Sequence, residues 1–250
     1  MNKEKKILIK FLAIVIASLS LGFFMGYSSM AVEKDIAAQI QHLMDSMVKA
    51  GPVMMLLGCV ILAVAVVYCN KGRLAAATAL AGDDEEKYED AEHQLSVAIN
   101  ITNRLTIYLF AVFGIIASGF GTGYEMDSFM PVMGSVGLFL ALLLGTTFLQ
   151  NIIIKQVQKL NPEKKGNVMD TNFHREWFES CDEAEKMQIG NAAYRSYRAT
   201  SGAIVGAALI AIFVSMMTPA GPLAAILVCG IWAVQFASYA KAANEWEKKK

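Results

Sequence analysis

The sequence predicts an all-α polytopic integral membrane protein: six transmembrane helices in three hairpins, with amphipathic cytoplasmic helices between them. Three observations carry this. The 250 residues are 55% hydrophobic and only 18% charged. Lys and Arg are missing from six long runs, at 11–32, 50–70, 105–124, 128–154, 201–219 and 220–240. Twenty of the 22 basic residues fall in the segments that alternate to one side of those runs. About 20 apolar residues cross a hydrocarbon core of about 30 Å, and in lipid the backbone can satisfy its own polar groups by coiling into a helix. The basic bias puts both termini in the cytoplasm.

The expected spans are 7–30, 51–69, 104–124, 129–153, 201–219 and 221–241, in a single membrane domain covering 1–250. Residues 70–103 and 155–200 form cytoplasmic helical loops. The first span has a rival reading. MNKEKK, an apolar run and Ser29-Met30-Ala31 also resemble a secretory leader with a small-residue cleavage site. Cleavage would leave five helices with the same sidedness. Outside, Ile36, Ile40, Leu43, Met44 and Met47 fall on one stripe of 32–49, which suits an amphipathic helix along the outer interface.

The even-numbered spans share an opening. Ala50–Lys71 and Ala220–Lys241 match at nine of twenty-two ungapped positions, including Ala-Gly-Pro at the start and the pair Cys59/Cys229. Pro52, Pro131 and Pro222 are expected in first helical turns, where a missing N–H breaks no bond. The similarity suggests three hairpins repeated in parallel, a plan some transporters use. Gly22/Gly26, Gly202/Gly206 and Ala117/Gly121 have the spacing at which small residues let helices pack closely. No Asp, Glu, Lys, Arg or His falls near the middle of a span, which weakens a proton-coupled path. The four cysteines lie in spans or on the reducing side and are expected as free thiols.

In the first cytoplasmic loop, residues 83–92 carry seven carboxylates and one lysine, followed by a face of Tyr88, Ala91, Leu95, Ala98 and Thr102. In the second, Pro162 and Gly166 break the helix leaving the membrane. Asp170 or Thr171 then caps a helix running through His174-Arg-Glu-Trp-Phe-Glu-Ser-Cys-Asp-Glu-Ala-Glu-Lys186. Phe173, Trp177, Cys181, Ala184 and Met187 form its apolar stripe. Charged residues occupy the other side, with Asp182 one turn before Lys186. His174 and Cys181 stand two turns, roughly 10 Å, apart. That is a poor basis for a metal site, which needs four close ligands.

The combination of spans with Asn161-Pro162-Glu-Lys-Lys-Gly-Asn-Val-Met-Asp170, Trp177, Ser180-Cys-Asp-Glu-Ala-Glu-Lys186 and Ala192-Ala-Tyr-Arg-Ser-Tyr197 resembles a family of Gram-positive bacterial membrane proteins, domain of unknown function 3169. The resemblance covers essentially the whole chain. It implies a bacterial cytoplasmic membrane protein and supplies no catalytic residues.

The expected function is that of a non-enzymatic component that binds a protein partner through its cytoplasmic helices. Trp177, Cys181, Asp182, Glu183 and Lys186 are the docking candidates, and Gly22, Gly26, Gly202 and Gly206 the packing ones. A small transporter or permease-type subunit is the alternative. The expected surroundings are the lipid bilayer and a protein at the cytoplasmic face. No nucleic acid, metal, cofactor or catalytic residue is expected.

Overall fold

In the computed structural model the backbone is described for residues 3–82, 85–118, 126–217 and 222–247, and most side chains within 42–118, 133–215 and 222–242. The described residues form six helices and no strand: α1 (Lys3–Gly82), α2 (Glu85–Ser118), α3 (Met126–Leu160), α4 (Phe173–Glu179), α5 (Glu183–Met217) and α6 (Leu223–Glu247). Five stretches among them are long and apolar enough to cross a membrane: Asp45–Gly82, Glu85–Ser118, Met133–Leu160, Glu183–Ser215 and Leu223–Ala242. Apart from exposed Ile16, the side chains of the expected first span, 7–30, lie outside the described residues; this includes the packing candidates Gly22 and Gly26, and Ile36, Ile40 and Met44 lie outside them too.

Two proline expectations are corrected. Pro52 does not open a helix but lies inside α1, and Pro131 falls within α3. In both, the helix begins before the proline, so the missing N–H falls where a backbone donor is normally used. Pro222 behaves as expected: it directly precedes α6, and its carbonyl accepts the Ile226 N–H at 3.0 Å.

The chain divides into two compact units, Leu43–Gly190 and Met1–His42 with Asn191–Lys250. The first is built around a three-helix bundle. Along α2 the buried residues are Ala91, Leu95, Ala98, Thr102, Leu105, Leu109, Val112 and Ile116, spaced alternately by four and three. On α1 the same alternation runs through Gly51, Met55, Gly58, Ala65, Cys69, Gly72, Ala76 and Ala79, with half-buried Leu62 filling the one gap. On α3 it runs from Ser135 through Phe139, Leu142, Thr146 and Leu149 to Ile153. A repeat of 3.5 residues on straight helices of 3.6 keeps one seam facing inward only if the helices wind left-handed around each other.

The α1 seam is narrow because it is made of small residues, and two glycines set the approach. A Cβ on Gly51 would lie 2.5 Å from Ile116 Cγ1. One on Gly72 would lie 2.8 Å from Leu95 Cγ and 3.2 Å from the Leu95 backbone nitrogen. Larger side chains fill the gap from the other helices: Leu105, Leu109, Phe139 and Leu142 share one cluster with Met55 of α1, and the Phe113 and Phe139 rings stack at 4.3 Å. Buried hydroxyls are satisfied within their own helices, Thr102 on Ile99 O at 2.8 Å and Thr146 on Leu142 O at 2.7 Å.

The seam does not stop where the apolar run ends. A second cluster joins Cys69 and Ala76 of α1 to Ala91, Leu95 and Ala98 of α2 and to Ile153 and Leu160 of α3. The expected loop 70–103 is thus the continuation of α1 and α2 past the apolar zone, apart from residues 83–84, which are not described. Of the expected stripe, Ala91, Leu95, Ala98 and Thr102 are fully buried on this extension and Tyr88 is half-buried.

In the other unit, the Tyr197 and Tyr239 rings of α5 and α6 stack at 4.9 Å. Ile204 and Ala208 are buried on α5. A Cβ on Gly202 or Gly206 would meet nothing within 4 Å.

Candidate functional site

At the polar end of the bundle, residues 158–186 fold into a compact knot, and its assembly can be followed along the chain. Leu160 ends α3. Its carbonyl would be left without an intrahelical partner, and the Tyr88 hydroxyl of α2 supplies the bond. The same hydroxyl lies 2.9 Å from Asn161 Oδ1, while Asn161 Nδ2 donates to Glu92 Oε1 at 2.6 Å. Burial, with Glu92 and Glu163 nearby, pushes the Tyr88 phenol above its ordinary pKa, so it remains a donor. Pro162 then occupies the second position of a turn closed by the Lys164 N–H on Asn161 O at 3.0 Å.

Gly166 has φ +118, a conformation side chains avoid. Its carbonyl accepts from Gln158 Nε2 at 2.7 Å, which ties the loop back to α3. The short helix α4 follows. Its N-cap is Asn172, whose N–H bonds Asp170 Oδ1 at 2.9 Å.

Here the sequence expectation needs correction: no single helix runs through 174–186. α4 ends at Glu179, and α5 starts at Glu183. The break is built by Asp182 and Glu185. The Glu185 N–H bonds Asp182 Oδ1 at 2.7 Å, and the Asp182 N–H bonds Glu185 Oε2 at 3.0 Å. This reciprocal pair is a capping box, in which each residue's carboxylate accepts the other's orphan backbone N–H at the helix start. The interruption resets the helical phase, so the expected five-residue stripe does not form. Cys181 is buried and Phe173 and Trp177 are half-buried, their rings 5.6 Å apart, but Ala184 and Met187 are exposed.

Lys164 sits at the centre of the knot, 7% exposed. Its Nζ donates to Glu185 Oε2 and lies 3.6 Å from Cys181 Sγ. Glu185 thus serves both the helix start and a buried ammonium. Burial alone would push the Lys164 pKa down, but the Glu185 hydrogen bond and the neighbouring Cys181 outweigh it and hold the ammonium above its usual range. The Lys164 hydrogen bond in turn holds the Glu185 carboxyl below its usual range, against the effect of burial. A lysine held protonated in this way is neither a nucleophile nor a general base at neutral pH. It works as a structural pin, reinforced by Ser180 Oγ, which accepts the Lys165 N–H at 3.1 Å and donates to Trp177 O at 2.7 Å.

The five docking candidates therefore have different surroundings. Cys181 is buried beside Lys164, its thiol 3.2 Å from Trp177 O. Asp182 is exposed and caps α5. Glu183 is exposed and pairs with half-buried Lys186 at 3.3 Å. His174 is exposed, with its ring 5.3 Å from that of Phe173. An open groove of 690 Å³ beside the knot is lined by Glu163, Lys165, Glu176, Glu179 and Ser180. Sequence reasoning missed Lys164 as the pin and Tyr88 as the cap of α3. The Asp-x-x-Glu spacing at 182–185 signals the start of α5 but not the burial of Lys164.

Comparison with curated proteins and with solved structures gives no match. A family model described as Protein of unknown function (DUF3169) matches residues 2–243. The chain belongs to that family.

Proposed function

We propose that this chain is a non-enzymatic integral membrane protein that holds a protein partner at its polar end. The 158–186 knot and the α1–α2 extension serve as a rigid platform in the cytoplasm. The observation that carries this reading is the pinned knot: a buried lysine, a capping box and an inter-helix cap fix a short polar segment in one shape. Fixed shape lowers the ordering cost of binding. The platform presents exposed apolar side chains, Phe178 and Met169, beside a groove whose three carboxylates, Glu163, Glu176 and Glu179, outnumber its one cation, Lys165. That chemistry favours a partner with a basic segment flanked by apolar residues. The basic bias of the segments on this side supports a cytoplasmic placement for it and for the C-terminus.

The test is crosslinking in native membranes followed by purification. Phe178→Ala and Glu179→Gln, both at exposed positions, should remove a stoichiometric partner and leave the chain's thermal unfolding unchanged. Recovery of the same crosslinked species from both variants would contradict the proposal.

A further inference from the structure

We propose that the face between α1 and α3 is a binding site for one anionic glycerophospholipid in the leaflet on the basic side. A groove of 250 Å³ lies there, lined by Leu62, Val66, Cys69 and Asn70 of α1 and by Phe148 and Ile152 of α3, and it ends at Arg73. Gly145, also in the lining, leaves it open, since a side chain at that position would project toward Leu62, 3.5 Å from its Cβ.

Length and charge identify the occupant. From Leu62 to Arg73 the helix rises about 16 Å, close to one leaflet of a hydrocarbon core about 30 Å thick. The lining is apolar at the Leu62 end and polar at the Asn70–Arg73 end, as an acyl chain and its headgroup require. No carboxylate among the described residues pairs with the Arg73 guanidinium. On α3, the stripe that passes through Phe148 and Ile152 continues at helical spacing to Lys155 and Lys159, both exposed. Both walls of the groove therefore turn basic at the same end. Basic pockets between transmembrane helices at a membrane surface bind anionic headgroups in this way. A guanidinium suits a phosphodiester because it offers several donors in one plane. The inference rests on bilayer placement of the helices and not on the partner-docking reading.

The test is native mass spectrometry of the full chain released from nanodiscs containing equal parts phosphatidylglycerol and phosphatidylethanolamine. The expected result is one phosphatidylglycerol retained in clear preference. Arg73→Ala should lower its occupancy roughly fivefold, the worth of one basic side chain at an anionic surface. Lys71→Ala removes the same charge from the other side of α1, where Lys71 lies over the Tyr68 ring at 5.6 Å, and should leave the occupancy unchanged. Gly145→Leu should expel both lipids. Because that variant also crowds Leu62, Arg73→Ala decides the matter. Equal retention of the two lipids, or equal losses in Arg73→Ala and Lys71→Ala, would overturn the site. A chain that enters no nanodisc would overturn the bilayer placement instead.

Discussion

The three-helix bundle of 43–160 and the helix α6 have similar composition and opposite packing. In the bundle, buried residues recur every three or four positions and glycines sit against facing side chains. None of the apolar stretch Leu223–Ala242 is buried within the chain, although it is as hydrophobic as α3. In water such a helix would have to bury itself. In a bilayer the exposed side chains are already in an apolar solvent, so burial reports close fit and not hydrophobicity. The difference teaches that in this chain stability comes from shape at the small-residue seam and from polar bonds at the knot.

The largest expected effect comes from filling the seam. Gly72→Leu forces a side chain into the Leu95 backbone, and a loss of about 3 kcal/mol is expected, the upper end for overpacked cores. It would appear as an earlier thermal unfolding transition in detergent. Gly202→Leu, where a Cβ meets nothing within 4 Å, should leave that transition in place. Equal losses at the two sites would erase the distinction between the regions.

Next in size is the knot. Lys164→Met removes the buried ammonium. A loss of about 2 kcal/mol is expected, below the ~3–5 typical of a broken fully buried pair because Glu185 retains contact with water. Hydrogen exchange at the first turn of α5 should accelerate while the α2 seam stays protected.

Acid should reproduce this without mutation. The Glu185 pKa is depressed on folding, so its contribution is present above its ordinary value of 4.5 and is lost as pH falls through the folded value. Lys164 is shifted upward, so its contribution is present below 10.5 and is lost as pH rises through the folded value. The protection factor at the first turn of α5, taken relative to the intrinsic exchange rate at each pH, should be flat between these limits and fall outside them, and Lys164→Met should blunt the acid limb.

Tyr88→Phe deletes one inter-helix bond to the end of α3 and should cost about 1 kcal/mol, visible as faster exchange around 158–161. The smallest effect is expected from Gly202→Ala, an exposed helical position, where a gain of about 0.5–1 kcal/mol follows from helix propensity alone. A loss there would place that glycine in a tight contact after all.

Much of the helical plan was legible in the sequence because it depends on composition: charge-poor runs mark helices, and the α2 stripe stood out where polar residues flank Ala91, Leu95 and Ala98. The α1 seam was not legible. Gly51, Gly58, Ala65, Gly72 and Ala79 recur every seven residues, but through the apolar run the flanking residues are apolar too, so periodicity in hydrophobicity vanishes where periodicity in size persists. The knot was half legible. Pro162 and Gly166 announced a break, but the amphipathic pattern through 173–187 concealed a second one at Ser180–Asp182, which only the capping spacing signals. Lys164 gave no local sign of burial, because its partners lie 17 and 21 residues away.

The central claim is that lipid is the solvent for the exposed apolar faces, and a spin label at Val234, 67% exposed on α6, tests it most directly. In a reconstituted bilayer, with the native cysteines replaced, the account predicts fast relaxation by oxygen, which concentrates in hydrocarbon, and little by a water-soluble nickel chelate. A label at buried Leu109 should respond weakly to both. Strong relaxation of the Val234 label by the chelate, with little by oxygen, would mean that water covers this face and would contradict the account.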